Sequence, residues 1–190
     1  KKLINVVEEM SIASGIAVPQ VYVMDQESTI NAFAAGFRPS EAIIAVTRGS
    51  LERFSRDELQ AVIGHEFSHI LNSDIRINLR MVAVLAGILA VGKIGELLLR
   101  SGSRSRRSYS SRSKNNGLPA LGLALVVIGY VGLFFGRLIK AAISRQRELL
   151  ADASAVQFTR NPAGLAGALI HIRNDGGSYL TSRHAEDMSH

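Results

Sequence analysis

The stretch His65-Glu66-Phe67-Ser68-His69 sets two imidazoles four residues apart, with a carboxylate beside the first. On an α-helix, residues i and i+4 lie one turn apart on one face, so both rings can reach a single metal ion. Glu66 then stands next to that ion, where it can act as general base toward water that zinc acidifies. With only five histidines in the chain, chance would supply such a pattern in on the order of one sequence in a hundred. The chain has no cysteine. That removes thiolate zinc sites, disulfides and cysteine nucleophiles together, and leaves His, Asp and Glu to hold a metal.

A catalytic zinc needs a third protein ligand and an open position. Asn72 and Ile75 stand where the longer H-E-x-x-H-x-x-G-x-x-H pattern requires Gly and His, so the third ligand is expected from another helix. Arg147-Glu148-Leu149-Leu150-Ala151-Asp152 offers one. Glu148 and Asp152 share a helix face, so Glu148 can bind the metal while Asp152 takes the free ring N–H of a ligand histidine. Taken alone, Glu148 would read as a solvated residue paired with a nearby arginine; the first motif tips the balance to a ligand.

These groups need elements to hold them. Leu3, Val6, Val7, Met10 and Ala13 recur at helical spacing over residues 2–14. Val21 to Met24, Asn31 to Ala35 and Ala42 to Val46 read as three short strands separated by turn formers. Ser55 with Glu58 is a capping box that opens a helix running to about Asn72, with Leu59, Val62, Ile63, Phe67 and Ile70 on its apolar side. Two apolar runs follow, Met81 to Gly92 and Leu118 to Gly136. The second approaches the roughly 20 residues that span a bilayer core. The first extends to Leu99 only by accommodating Lys93 and Glu96, which must pair or lie near the interface. Gly132 and Gly136 form a G-x-x-x-G spacing that suits close helix packing. The helical pattern then continues to about Phe158, breaks at Asn161-Pro162, and resumes from Pro162 to Arg173 before Gly176-Gly177.

The formal charge is +6. Its arginines and lysines cluster at Arg100 to Lys114 and Arg137 to Arg147, bordering the apolar runs, which is the pattern of membrane flanks and not of a nucleic-acid face. The polar stretch 101–117 is expected to be mobile. Because His65 and His69 precede the apolar pair and Glu148 follows it, the chain between them crosses a bilayer twice or not at all. Orientation is undecided by charge. Arg100, Arg104, Arg106, Arg107, Arg112 and Lys114 on the loop side are balanced by Arg76, Arg80, Arg137, Lys140, Arg145 and Arg147 on the other.

Asn31-Ala32-Phe33-Ala34, the HEFSH helix followed by Asn72 and Asp74, the hydrophobic hairpin, and Arg147-Glu148 with Ala151-Asp152 together resemble the HtpX-type membrane metalloproteases, one family with the CAAX prenyl proteases. The similarity covers nearly the whole chain in order. It implies a zincin-like, gluzincin-type catalytic domain of α+β, mainly α, class, with one zinc per chain on His65, His69 and Glu148 and with Glu66 catalytic. It also implies Asn31, Ala32, Phe33 and Ala34 as a substrate-binding edge strand, misfolded or damaged membrane proteins as polypeptide substrates, and a multi-pass place in a bacterial inner membrane with the site on the cytoplasmic face. Relatives usually carry membrane helices upstream and a His-Pro motif ending in Arg downstream; neither lies in these residues, and the chain reads as a segment of a longer protein.

The expected organisation is 1–80 and 137–190 as two halves of one catalytic domain, with 81–136 as the inserted hairpin. The Asn31–Ala34 segment reads equally well as a buried strand, and a core Phe33 is compatible with either reading. Asp74 is either a helix-end residue or a partner to a ligand histidine. His171 suits a helix C-terminus, and His184 and His190 sit in a polar tail. Two rival functions stay open: a prenyl-protein processing protease, marked by a farnesyl-sized apolar chamber, and a non-catalytic membrane scaffold, marked by a fourth protein ligand closing the metal.

Overall fold

A computed structural model describes residues 1–104 and 117–175. The fold is mainly helical with one small sheet. Its elements are α1 (Lys2–Ser14), β1 (Gln20–Met24), β2 (Ala32–Ala35), β3 (Ile43–Thr47), α2 (Arg48–Arg53), α3 (Arg56–Leu71), α4 (Asp74–Arg104), α5 (Gly117–Thr159) and α6 (Pro162–Asn174). The described residues form two compact units, one of 1–77 with 146–175 and one within 78–145.

In the first unit the sheet order is β1-β3-β2, with β1 parallel and β2 antiparallel to β3. Val6, Val7 and Met10 of α1, Ile44 and Val46 of β3, and Leu59, Ile63 and Phe67 of α3 are fully buried in one cluster. Each such side chain contributes about 1.5–3 kcal/mol by leaving water. The apolar stripe of α3 therefore anchors the helix, and its flank is left to carry polar groups. Ser55 caps that helix as its sequence implies, its hydroxyl accepting from Glu58 N–H while the Glu58 carboxylate accepts from Ser55 N–H.

Strand β2 is an edge strand whose four residues are all partly exposed. Ala32 and Ala34 pack against the core, whereas Phe33 is not part of it. Of the two places open to Phe33, the structure takes the one outside the core: the pleat alternates, and the two alanines take the inward face. The strand begins at Ala32, with Asn31 just outside it. Asn31 is held from below by a polar knot. Its N–H donates to the hydroxyls of Thr47 (3.0 Å) and Ser50 (2.8 Å), and Ser50 donates back to Asn31 C=O at 2.8 Å. Thr47 also caps α2, a short helix that the sequence reading left out, and both hydroxyl residues are fully buried. Gly49 is required here, because a Cβ would lie 2.1 Å from Ser28 C=O.

Helix α4 starts at Asp74, seven residues before the apolar run, after Ser73 turns the chain with φ of +54°. The second unit is the paired stretch of α4 and α5. They approach closely at glycines: a Cβ on Gly129 would come 2.5 Å from Gly92 Cα, and one on Gly95 would come 2.7 Å from Gly122 C=O. Gly132 and Gly136, singled out by their spacing, instead face the side chains of Ile88 and Leu85. Lys93 and Glu96 do pair, at 3.2 Å, and Tyr130 Oη donates to Glu96 at 2.5 Å. Two helical stretches, Asp74–Ser101 and Ala120–Thr159, are long and apolar enough to cross a membrane. Val84, Leu97, Ile128 and Phe134 are among their exposed side chains. The central part of the stretch expected to be mobile, together with Gly176-Gly177, His184 and His190, lies outside the described residues.

Candidate metal centre

His65 and His69 lie on the flank of α3, and Glu148 projects from α5, within the first unit. Their ligand atoms all lie within 4.8 Å of one another. The two Nε2 atoms are 3.1 Å apart, and the Glu148 carboxylate oxygens are 3.5 Å from His65 Nε2 and 3.9 Å from His69 Nε2. Ligand atoms about 2.0–2.1 Å from one ion at tetrahedral angles would be separated by about 3.3 Å. The two imidazole nitrogens and the nearer carboxylate oxygen lie close to that spacing, and the contact of Glu148 with His69 is about 0.6 Å longer.

Each ring is oriented from behind by a carboxylate. His65 Nδ1 meets Asp152 Oδ1 at 2.9 Å, and His69 Nδ1 meets Asp74 Oδ2 at 2.6 Å. A carboxylate partner holds the proton on Nδ1 and leaves the Nε2 lone pair free to coordinate. Two lone pairs 3.1 Å apart repel unless a cation lies between them and the nearby carboxylate. The donor set therefore fits a divalent cation. Desolvation by burial, reinforced by the neighbouring His69, lowers the His65 pKa and keeps the ring in the neutral form a metal needs.

Behind Asp74 stands Arg147, which the sequence reading placed in a motif and in a basic flank but gave no role at the site. Its Nε and Nη2 both reach Asp74 Oδ1 at 2.7 Å, while the other carboxylate oxygen serves His69. Both side chains are largely buried, so the residue next to Glu148 is tied through Asp74 to the second histidine. The signal that could have found it is the sequence neighbourhood itself: an arginine just before Glu148 and an aspartate at the head of the helix after His69.

Glu66 faces the same space. One carboxylate oxygen accepts from Ala34 N–H at 2.9 Å, which ties the edge strand to the helix. Desolvation raises its pKa from 4.5 to about 7, against the opposing pull of His69 and the Ala34 N–H. The structure brings Asn31 and Ala32 to this space as well; they line a cavity of about 360 Å³ together with His65, Glu66, Glu148 and Asp152. His171 is elsewhere, in the last turn of α6, 3.6 Å from Glu58. Among the described residues, His65, His69 and Glu148 are the one group positioned to share a metal.

Across residues 1–189 the sequence matches peptidase family M48. It is 46% identical over 170 residues to a "Protease HtpX homolog" of Dictyoglomus thermophilum, covering 90% of this chain and 53% of that protein. A second protein so named, from Streptococcus thermophilus, is 40% identical over 188 residues, covering 98% of this chain and 62% of the relative. The chain thus spans little more than half the length of the curated relatives it matches. No solved structure matches it.

Proposed function

The chain belongs to peptidase family M48, and from that premise we propose that it is the catalytic part of a zinc-dependent, membrane-associated endopeptidase. The observation that carries the reading is the convergence of two carboxylate-oriented imidazoles and Glu148 beside a half-buried Glu66. His65, His69 and Glu148 would hold one zinc, which supplies Lewis acidity toward a scissile carbonyl. Two nitrogens and one carboxylate oxygen are a common catalytic zinc set.

Glu66 acts as the proton carrier. Burial pushes its pKa up to about 7, so that the carboxylate can take a proton from attacking water and the acid so formed can return it to the leaving amine. The edge strand β2 lies on the same side, and Ala34 N–H already bonds Glu66. An extended polypeptide adding to that edge would set its backbone beside the carboxylate through hydrogen bonds indifferent to sequence. Asn31, Ala32, Phe33 and Ala34 form this substrate-binding segment, and the knot of Thr47 and Ser50 keeps its start in register.

The catalytic domain is zincin-like, of the gluzincin type, assembled from residues on both sides of the hairpin. The two apolar helices set it at a lipid bilayer, with membrane proteins in need of clearance as the substrates. Its family resemblance favours a bacterial inner membrane with the site on the cytoplasmic face. A structural zinc would be closed by a fourth protein ligand; among the described residues the group has three, which supports catalysis over a scaffold.

The test uses the full-length protein in detergent. Wild type and Glu66→Gln should each contain one zinc by elemental analysis, Glu148→Ala should lose most of it, and only wild type should cleave unfolded polypeptide. Equal zinc in wild type and Glu148→Ala would remove Glu148 from the site. Cleavage by Glu66→Gln near the wild-type rate would remove the proposed base.

A further inference from the structure

We propose that Asp175, at the C-terminal end of α6, is a positioning residue: it fixes where the β2 edge begins relative to α6, and so how an extended polypeptide is seated beside Glu66. The inference rests on the endopeptidase reading and adds to it a residue outside the cavity lining. Asp175 uses both carboxylate oxygens to join elements far apart in the chain. Its Oδ2 accepts from Ile30 N–H at 3.3 Å, across 145 residues, and its Oδ1 pairs with Arg53 at the end of α2.

Ile30 is 1% exposed and directly precedes Asn31. A backbone donor in so buried a residue needs an acceptor, and Asp175 supplies it. Asn31 N–H is held in turn by Thr47 and Ser50 at the head of α2. Two consecutive N–H groups are therefore gripped just where β2 starts, one from α6 and one from α2. Arg53 links the two grips, because it belongs to the same short helix as Ser50. Helix chemistry argues that the carboxylate serves this junction and not α6 itself. A negative charge at a helix C-terminus opposes the macrodipole, whereas His171 and Arg173 in the last turn of α6 carry the favoured sign. The first turns of α6 are seated independently against the start of α3. A Cβ on Gly164 would lie 2.8 Å from Asp57 C=O, and one on Gly167 would lie 2.5 Å from the Glu58 carboxylate. Ile30 and the α6 residues Leu169 and Ile172 line the cavity that also holds Glu66 and Glu148. Losing Asp175 would thus free the last turn of α6 from the strand while the glycine contacts still hold its beginning.

The experiment uses the full-length protein in detergent, with fluorescein-labelled, reduced and carboxymethylated α-lactalbumin as an unfolded polypeptide. Cleavage gives kcat and KM separately, and anisotropy gives binding to zinc-loaded protein in the Glu66→Gln background. Asp175→Ala should raise KM and weaken binding about 10-fold, as expected for one charge-assisted hydrogen bond, with kcat within about twofold and zinc content unchanged. Asp175→Asn keeps an amide oxygen that can accept from Ile30 N–H and should recover most of the binding. Arg53→Met, at a half-exposed position, should fall between the two, and it decides on the same readouts if Asp175→Ala does not fold. Equal KM and binding in wild type, Asp175→Ala and Arg53→Met would overturn the proposal. A parallel fall of zinc, kcat and binding in Asp175→Asn and Arg53→Met would overturn it too, by showing a folding role. If wild type cleaves nothing while Asp175→Ala still weakens binding with zinc retained, the endopeptidase reading falls and the positioning role stands.

Discussion

Arg147 has a geometry that says more about the metal centre than its sequence position does. It places two nitrogens on one oxygen of Asp74, whose other oxygen holds His69 Nδ1. A carboxylate shared in this way is fixed in orientation, and so is the imidazole behind which it stands. Removing the guanidinium would leave Asp74, which is 8% exposed, as a buried charge with half its partners gone. Arg147→Met is expected to weaken zinc binding about 10–100-fold in chelator competition, in line with other losses of a group that orients a ligand. Arg147→Lys should recover part of this, since an ammonium restores charge but not the paired N–H donors. Unchanged zinc affinity in Arg147→Met would reduce the residue to a helix tie.

Among elements, the hairpin shows how small residues let two helices approach closely. Helices α4 and α5 meet at Gly92 with Gly129 and at Gly95 with Gly122, where backbone touches backbone. Such contacts allow dispersion and Cα–H···O interactions that larger residues forbid. A side chain at Gly129 would strike Gly92 main chain at 2.5 Å, which no rotamer change relieves. Gly129→Leu should therefore force the helices apart and destabilise the hairpin by at least about 1–3 kcal/mol, read by unfolding in mixed micelles. Gly87→Ala is the control, because a Cβ there meets nothing within 4 Å. Equal stability of the two variants would show that the glycine contacts do not hold the hairpin.

At the scale of the whole molecule, residues 1–77 and 146–175 belong to one unit while the described part of 78–145 forms the other. Both ends of the hairpin thus return to the same place, and any number of bilayer crossings must be even. Because the chain is free of cysteine, single cysteines report topology cleanly. With two crossings, Glu8→Cys in α1 and Ser108→Cys in the inter-helix segment should react with an impermeant maleimide from opposite sides of sealed vesicles. Labelling of both from one side would mean that the helices lie on the membrane or pack without spanning it.

Much of this was legible in the chain. The H-E-x-x-H spacing, the Ser55–Glu58 cap and the apolar runs are local patterns, and local patterns follow from helical periodicity alone. For the same reason α3 and α6 fall close to their expected bounds, while α2 and the early start of α4 do not. Those two depend on a buried Thr47 cap and on Ser73 at positive φ, which leave no periodic trace. Residues 69, 74 and 147 meet only because a turn, two long helices and a buried ion pair bring them together. Ligand types and their order are written in covalent sequence; which carboxylate stands behind which ring, which strand edge faces Glu66, and where an apolar pocket opens are decided by packing between segments far apart in the chain.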